Sequence, residues 1–212
     1  MKKLFGLLCV LVAMSFGAFA EEKKSSGFDL AGKLNIGYAT GASYVDINGI
    51  SGYATMSGFE LYPALVITPD ATAMEGKPFN ISFEAALDMI FGSSDYYKDY
   101  KVTAITPSVS VLFNYQLAGS DFLEKLVPYA GINLGVPIQK STFTGITYNS
   151  EEHKYEEKEY SGTKIGLGMG FVAGARYAIN DKIEVNAETG YNFFNLHDFF
   201  IRGGAVYHFQ KK

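Results

Sequence analysis

The chain has 212 residues, with 18 Lys and Arg against 22 Asp and Glu, for a formal net charge of −4. The acidic balance and the lack of a basic patch exclude nucleic acid as an expected partner. After residue 20 no uninterrupted apolar run is long enough to form a membrane-spanning helix, so a helical membrane protein is also excluded.

The first twenty residues predict a secretory signal peptide. Two lysines precede an uncharged apolar stretch, and Ala18-Phe19-Ala20 supplies the small residues of a cleavage site. An uncleaved membrane anchor would need a longer apolar run. The only cysteine, Cys9, lies in this segment, so the mature chain is expected to have no disulfide and no cysteine nucleophile. We expect a signal peptide over 1–20, a short segment over 21–27 and one domain over 28–212.

Eight segments alternate apolar and polar residues, with turn-forming residues between them. The clearest spans residues 79–91, where nearly every second residue is large and apolar. Period-two alternation gives a strand two unlike faces, so eight such strands predict an all-β, antiparallel up-and-down barrel. The predicted strands are 28–38, 56–67, 79–91, 102–117, 128–138, 164–179, 182–194 and 199–209. The outer loops are then 39–55, 92–101, 139–163 and 195–198, and the inner connections are 68–78, 118–127 and Asn180-Asp181. A helical turn or a plain loop is expected over 121–127.

Two barrels fit this pattern: a soluble lipocalin-like cup with its apolar face inward, and a transmembrane barrel with that face outward. The polar face carries glycines, including Gly166, Gly168, Gly170 and Gly174. Glycines facing water would weaken a strand without benefit, whereas a narrow barrel interior needs small residues. Aromatic residues at the stripe ends also favour the transmembrane barrel, because they suit the membrane interfaces. They are Tyr38, Phe79, Phe91, Tyr115, Tyr177, Tyr191, Tyr207 and Phe209.

The final strand resembles the C-terminal assembly signal of small bacterial outer-membrane barrels. Gly203, Tyr207 and Phe209 match the spacing of that signal, and residues 128–135 resemble a recurring strand of the same family. The chain is similar in plan to outer-membrane protein X and to the transmembrane domain of outer-membrane protein A. No peptidoglycan-binding domain is expected after residue 212. The resemblance implies an outer-membrane location, contact with outer-membrane lipid and recognition by the barrel-assembly machinery.

Charged residues recur on the predicted inner face. They are Glu60, Glu84, Asp88, Arg176, Glu184, Glu188 and Arg202, and Lys33 can join them. Enclosed charges must be paired or hydrated. Because eight strands enclose room only for side chains or a small ligand, a salt-bridge network that plugs the barrel is favoured over a narrow polar pore.

Loop 139–163 contains several glutamates and one histidine, His153. Hard cations favour oxygen ligands, but this spacing matches no defined metal-binding loop, so a solvated acidic loop is favoured over a metal site. The tyrosines of the loop, with Phe143, can instead form an adhesive surface.

A catalytic grouping can be drawn from the outer loops. His197-Asp198 and four serines, Ser43, Ser51, Ser93 and Ser94, lie on the same predicted side. Serine and aspartate are common in loops, so this pattern does not by itself predict an enzyme.

We therefore expect a non-enzymatic outer-membrane barrel without cofactor, whose four loops have a structural or surface-interaction role toward an extracellular ligand or host surface. The alternatives are a narrow channel or conduit for small polar or apolar solutes and a soluble lipocalin-like binding barrel.

Overall fold

The alternating sequence forms two-faced strands, and these strands close into a barrel in a computed structural model of the chain. The structure describes residues 27–47, 50–69, 78–94, 99–193 and 196–210. The predicted signal peptide, including Cys9, and nearly all of the segment 21–27 lie outside the described residues.

Within the described ranges there are ten strands and one helical turn. They are β1 (Phe28–Ile47), β2 (Ile50–Pro69), β3 (Phe79–Ser93), β4 (Lys101–Tyr115), α1 (Asp121–Glu124), β5 (Leu126–Gly135), β6 (Ile138–Asn149), β7 (Lys154–Ile165), β8 (Gly168–Ala178), β9 (Ile183–Phe193) and β10 (Leu196–Gln210).

Eight of these strands form the barrel wall. Strands β1 to β5 pair in chain order, β5 pairs with β8, and β8 to β10 follow in order. The pairing of β10 with β1, for example Ala205 with Leu34, closes the ring. Every pair is antiparallel, as predicted. Closure removes the sheet edges and gives the backbone polar groups partners within the wall.

Strands β6 and β7 extend beyond the wall as a hairpin. They continue β5 and β8 after bends at Val136-Pro137 and Gly166-Leu167. Strand β4 pairs with β5 below the bend and with β6 above it. The prediction of a loop over 139–163 is therefore wrong, because β6 and β7 pair continuously from Ile138 to Asn149. Alternating Thr, Ile, Phe and Tyr residues favour this extended conformation.

The first outer loop is also shorter than predicted. Strands β1 and β2 remain paired as far as Ile47 and Ile50, so most of the loop predicted over 39–55 is a second long hairpin. At the other end of the barrel, the predicted tight turn joins β8 to β9. The Asn180 side chain accepts hydrogen bonds there from the backbone N–H groups of Lys182 and Ile183.

The apolar stripes face outward. Leu34 is 51% exposed, whereas its neighbours Lys33 and Asn35 are buried inside the barrel. The same alternation places Phe83 outside and Glu84 inside. A lipocalin-like cup needs the opposite arrangement, so that alternative is wrong. Among the described residues, no helix is both long and apolar enough to cross a membrane.

Aromatic side chains border the outer apolar surface at two levels. Phe79 pairs with Tyr115 near one end, and Phe91 pairs with Phe59 near the other. At a rise of about 3.3 Å per residue and a strand tilt of about 40°, the segment from Phe79 to Phe91 spans about 30 Å. This height is close to that of the apolar band of a transmembrane barrel, about 25 Å.

Candidate functional site

Charges of alternating sign cross the centre of the barrel. The Lys33 ammonium lies 2.9 Å from Glu84 Oε2 and 2.7 Å from Glu188 Oε2. Glu188 also accepts a hydrogen bond from Arg202 Nε, and Arg202 Nη1 lies 2.5 Å from Glu60 Oε1. All five side chains are buried. Each cation therefore touches two carboxylates, which offsets part of the cost of removing these charges from water.

Two tyrosines complete this central network. The Tyr62 hydroxyl donates to Glu84 Oε1 at 2.6 Å, and the Tyr129 hydroxyl donates to Glu188 Oε2 at 2.5 Å. The Arg202 guanidinium carbon lies 3.3 Å from the centre of the Tyr62 ring, a cation–π contact. Sequence reasoning did not assign either tyrosine to the network. The signal was present, because Tyr62 lies two residues from Glu60 and so shares its face.

A second charged group lies toward the end of the barrel where β8 and β9 are joined. Arg176 Nη2 donates to Asn114 Oδ1, and its Nε lies 3.8 Å from Glu184 Oε2. The His208 ring bridges two carboxylates, with Nδ1 2.8 Å from Asp29 Oδ2 and Nε2 3.1 Å from Glu184 Oε1. The predicted luminal residues other than Asp88 thus lie in two groups of contacts.

Asp88 differs from the other predicted luminal residues. Its side chain is buried, on the inner face where the sequence placed it. Within the described part of the chain, no ion pair joins it to a basic side chain. It lines a small cavity together with Asp198.

An apolar layer covers the central network on its outer side. The Phe200 ring lies 4.2 Å from the Arg202 guanidinium carbon and is fully buried. Gly190 makes room for this ring, because a Cβ at that position would collide with it and with the Phe171 carbonyl oxygen. Phe143, in the middle of β6, joins the same cluster and stacks on Tyr160 with ring centres 5.4 Å apart. Ion pairs thus lie at the centre of the lumen, and apolar side chains lie next to them on the outer side.

A charged interior inside an apolar exterior is the arrangement of a membrane barrel. The family model for the outer membrane protein beta-barrel domain matches residues 6–209. The chain belongs to the outer membrane protein beta-barrel family. It is accordingly a protein of the bacterial outer membrane.

Several solved structures are similar to this family member. Neisserial surface protein A aligns at 16% identity and a TM-score of 0.48, with 87% of this chain and 99% of that chain covered. Ail, the attachment invasion locus protein of Yersinia pestis, aligns at 14% identity and a TM-score of 0.44, with 84% and 97% covered. No curated protein matches the chain.

Exposed charges of this outer-membrane barrel lie on hairpin β6–β7. The Lys154 ammonium contacts Glu152, and it lies 3.2 Å from Glu156 Oε1. Hydrogen bonds to these two carboxylates raise the pKa of Lys154. A metal ion bound in the segment 139–163 would have to compete with the Lys154 ammonium for these carboxylates. Among the described residues, no three His, Cys, Asp or Glu side chains form a group that could hold a metal ion.

Only part of the considered catalytic grouping lies among the described side chains. Asp198 is buried and accepts a hydrogen bond from Asn192 Nδ2 at 3.0 Å. Ser93 is exposed and is the last residue of β3. The side chains of Ser43, Ser51 and His197 lie outside the described residues.

The residues of the predicted assembly signal lie on β10 of this outer-membrane barrel. The Tyr207 side chain is exposed on the outer face, and its ring packs edge-on against Phe209 with centres 5.5 Å apart. Gly203 pairs with Ile36 and Ala187 in the wall. Their recognition during assembly stays a prediction.

Proposed function

We propose that this outer-membrane protein is a closed, non-enzymatic barrel that anchors a surface-interaction hairpin. The side chains that meet inside the barrel support the proposal. Side chains from β1, β2, β3, β5, β9 and β10 meet in the central network. A continuous water path would have to separate these ion pairs and displace Phe200 above them. Breaking a buried ion pair costs about 3–5 kcal/mol, which supports a plug over a permanent pore.

The interacting surface in this proposal is the outer part of hairpin β6–β7. Ile146 is 74% exposed and Tyr155 is 76% exposed, and exposed apolar and aromatic side chains in one place favour protein binding. Residues 150–160 contain five glutamates and two lysines, a formal charge of 2 − 5 = −3. We therefore expect the extracellular ligand or host surface to present cationic groups around an apolar contact.

Export and assembly form part of the same proposal. Residues 1–20 direct secretion and are removed, and the barrel-assembly machinery recognises Gly203, Tyr207 and Phe209. Phe209→Ala should lower the amount of folded barrel in the outer membrane while leaving refolding in detergent unchanged. The matched control is Phe199→Ala, which removes an outward aromatic residue from the other end of β10. Equal loss from both variants would contradict a specific signal.

Planar-bilayer conductance tests the closed lumen. The refolded chain should give no single-channel events, because its central charges are paired and covered. Stable openings whose conductance changes in Glu84→Gln would contradict the plug and favour the narrow channel.

Binding to defined surfaces tests the hairpin. Barrels in nanodiscs should bind polylysine-coated surfaces more than heparin-coated ones, and the combined variant Glu156→Gln, Glu157→Gln and Glu159→Gln should weaken that binding. Glu124→Gln and Asp181→Asn remove charges at the opposite end of the barrel and serve as controls. Preference for heparin, or equal effects of both sets of variants, would contradict the proposed surface.

A further inference from the structure

An apolar groove interrupts the outer wall of the barrel. It has a volume of about 850 Å³ and runs across β2, β3, β4, β5 and β8. Its floor contains the small residues Ala64, Ala86, Gly135 and Gly168, and larger apolar side chains such as Leu87 and Leu134 line its sides. Because this face is the outward, apolar one, the groove is open to the hydrocarbon of the membrane.

Irregular strand pairing explains why the wall is thin at the groove. In β2, Pro63 cannot donate a hydrogen bond, and the pairing with β3 is interrupted between Leu61 and Ala64. In β4, Pro107 lies where the partner strand changes from β5 to β6. The backbone N–H of Val136 donates to the Pro107 carbonyl oxygen at 3.0 Å across this junction. Strand pairing is therefore interrupted beside both Pro63 and Pro107, where the groove lies.

A small polar cavity lies directly behind the groove. Ser108, Gly135 and Gly168 line both spaces, so these three residues form the partition between the lipid side and the lumen. The cavity has a volume of about 30 Å³, enough for one group of about the size of water. Asp88 and Asp198 line its luminal side.

Unsatisfied oxygens point to the chemistry of this cavity. Asp198 is 0% exposed and Asp88 is 6% exposed. Each has one carboxylate oxygen, Oδ1, without a hydrogen-bond partner among the described residues. The hydroxyl oxygen of Ser108, in the partition, also has no such partner. A buried polar atom without a partner costs free energy. A hydrogen-bond donor in the cavity would remove this cost, and a cationic donor would also offset the two carboxylates.

We propose that the groove and the cavity form one site for a single-chain amphiphile with a primary ammonium head. The hydrocarbon chain lies in the groove, and the ammonium passes the glycines of the partition to reach Asp88 and Asp198. An ammonium is small enough for the cavity and donates three hydrogen bonds. A carboxylate or phosphate head would instead meet two acidic side chains, so anionic amphiphiles are excluded by charge.

Native mass spectrometry of the refolded full chain, with hexadecylammonium as the probe, tests this site. We expect one bound molecule per barrel and at least tenfold tighter binding than hexadecanol, which has the same chain and no charge. Asp88→Asn and Asp198→Asn, each made separately, should lower the affinity for hexadecylammonium toward the affinity for hexadecanol. Asp181→Asn is the matched control, because it neutralises an exposed turn carboxylate far from the cavity.

A second variant tests the groove without changing the lumen. Ala85 lines the groove on the outer face, so Ala85→Phe should fill the groove and weaken both probes. Ala205→Phe adds the same ring to the lipid face of β10 and should leave binding unchanged. Heat-modifiable gel mobility establishes that each variant is folded.

Two results would overturn the site. Equal affinity for the ammonium and the alcohol would mean that the groove makes only ordinary lipid contacts. Tight binding in both Asp variants would mean that the ammonium binds elsewhere. Neither result affects the closed lumen or the hairpin surface, since conductance and surface binding are measured without the probe.

Discussion

The ring of Phe200 lies 4.2 Å from the guanidinium carbon of Arg202, two residues farther along the same strand. This contact joins the apolar outer layer of the lumen to the charged layer beneath it. Arg202 in turn reaches Glu60 on β2 and Glu188 on β9, so one side chain of β10 connects strands on both sides of the barrel closure. The stability of the closed ring should therefore depend strongly on this residue.

Replacing Arg202 with methionine should destabilise the barrel by about 3–5 kcal/mol, because Glu60 and Glu188 then lose a buried cationic partner. Unfolding by urea in lipid vesicles, followed by circular dichroism, measures the change. Adding Glu60→Gln should recover part of the loss, since it removes one of the unpaired charges. Lys182→Met, in the exposed turn after β8, should leave the unfolding midpoint unchanged. A midpoint that Arg202→Met also leaves unchanged would mean that the network adds nothing to stability.

Replacing Phe200 with alanine should destabilise the barrel by about 3–5 kcal/mol, because it leaves a cavity in a packed layer. Phe199→Ala is a matched control, since the neighbouring ring faces lipid and its removal leaves no internal cavity. The two urea midpoints give the comparison directly. A larger effect at Phe199 than at Phe200 would contradict the assigned faces of β10.

The sequence pattern was sufficient to predict the face occupied by the charged side chains of the central network. A strand alternates its side chains, so Glu60, Glu84, Glu188 and Arg202 could be placed inside without knowing their neighbours. Pairing partners could not be predicted in the same way. Lys33 contacts Glu188 across 155 positions of the sequence, and that contact depends on barrel closure and strand register, which alternation leaves open.

Hairpin β6–β7 also could not be predicted from the sequence pattern. Residues 138–149 suit a strand, but the charged residues that follow them resemble a solvated loop, and β7 consists largely of such residues. Cross-strand pairing with β6 keeps β7 extended, a tertiary effect that overrides local composition. The groove was also not predicted, because it arises where Pro63, Pro107 and the β5–β6 bend coincide on neighbouring strands.

Replacing Leu34 with arginine should destabilise the barrel by about 2–4 kcal/mol, because it places a charge near the middle of the lipid-facing band. Ile146→Arg makes the same change on the outer hairpin, where the side chain meets water, and should have little effect. Unfolding in vesicles distinguishes the two sites. Comparable midpoints for both variants would contradict a membrane position for the stripe that contains Leu34.

Single cysteines test the orientation of the barrel in the cell. The only native cysteine, Cys9, lies in the predicted signal peptide, so a processed chain has no background thiol. Ser150→Cys, at the tip of hairpin β6–β7, should react on intact bacteria with a maleimide that does not cross membranes. Asp181→Cys, in the turn between β8 and β9, should react only after the outer membrane is opened, because short turns of such barrels face the periplasm. Labelling of Asp181→Cys on intact cells, with protection of Ser150→Cys, would reverse the orientation and remove the hairpin from the cell surface.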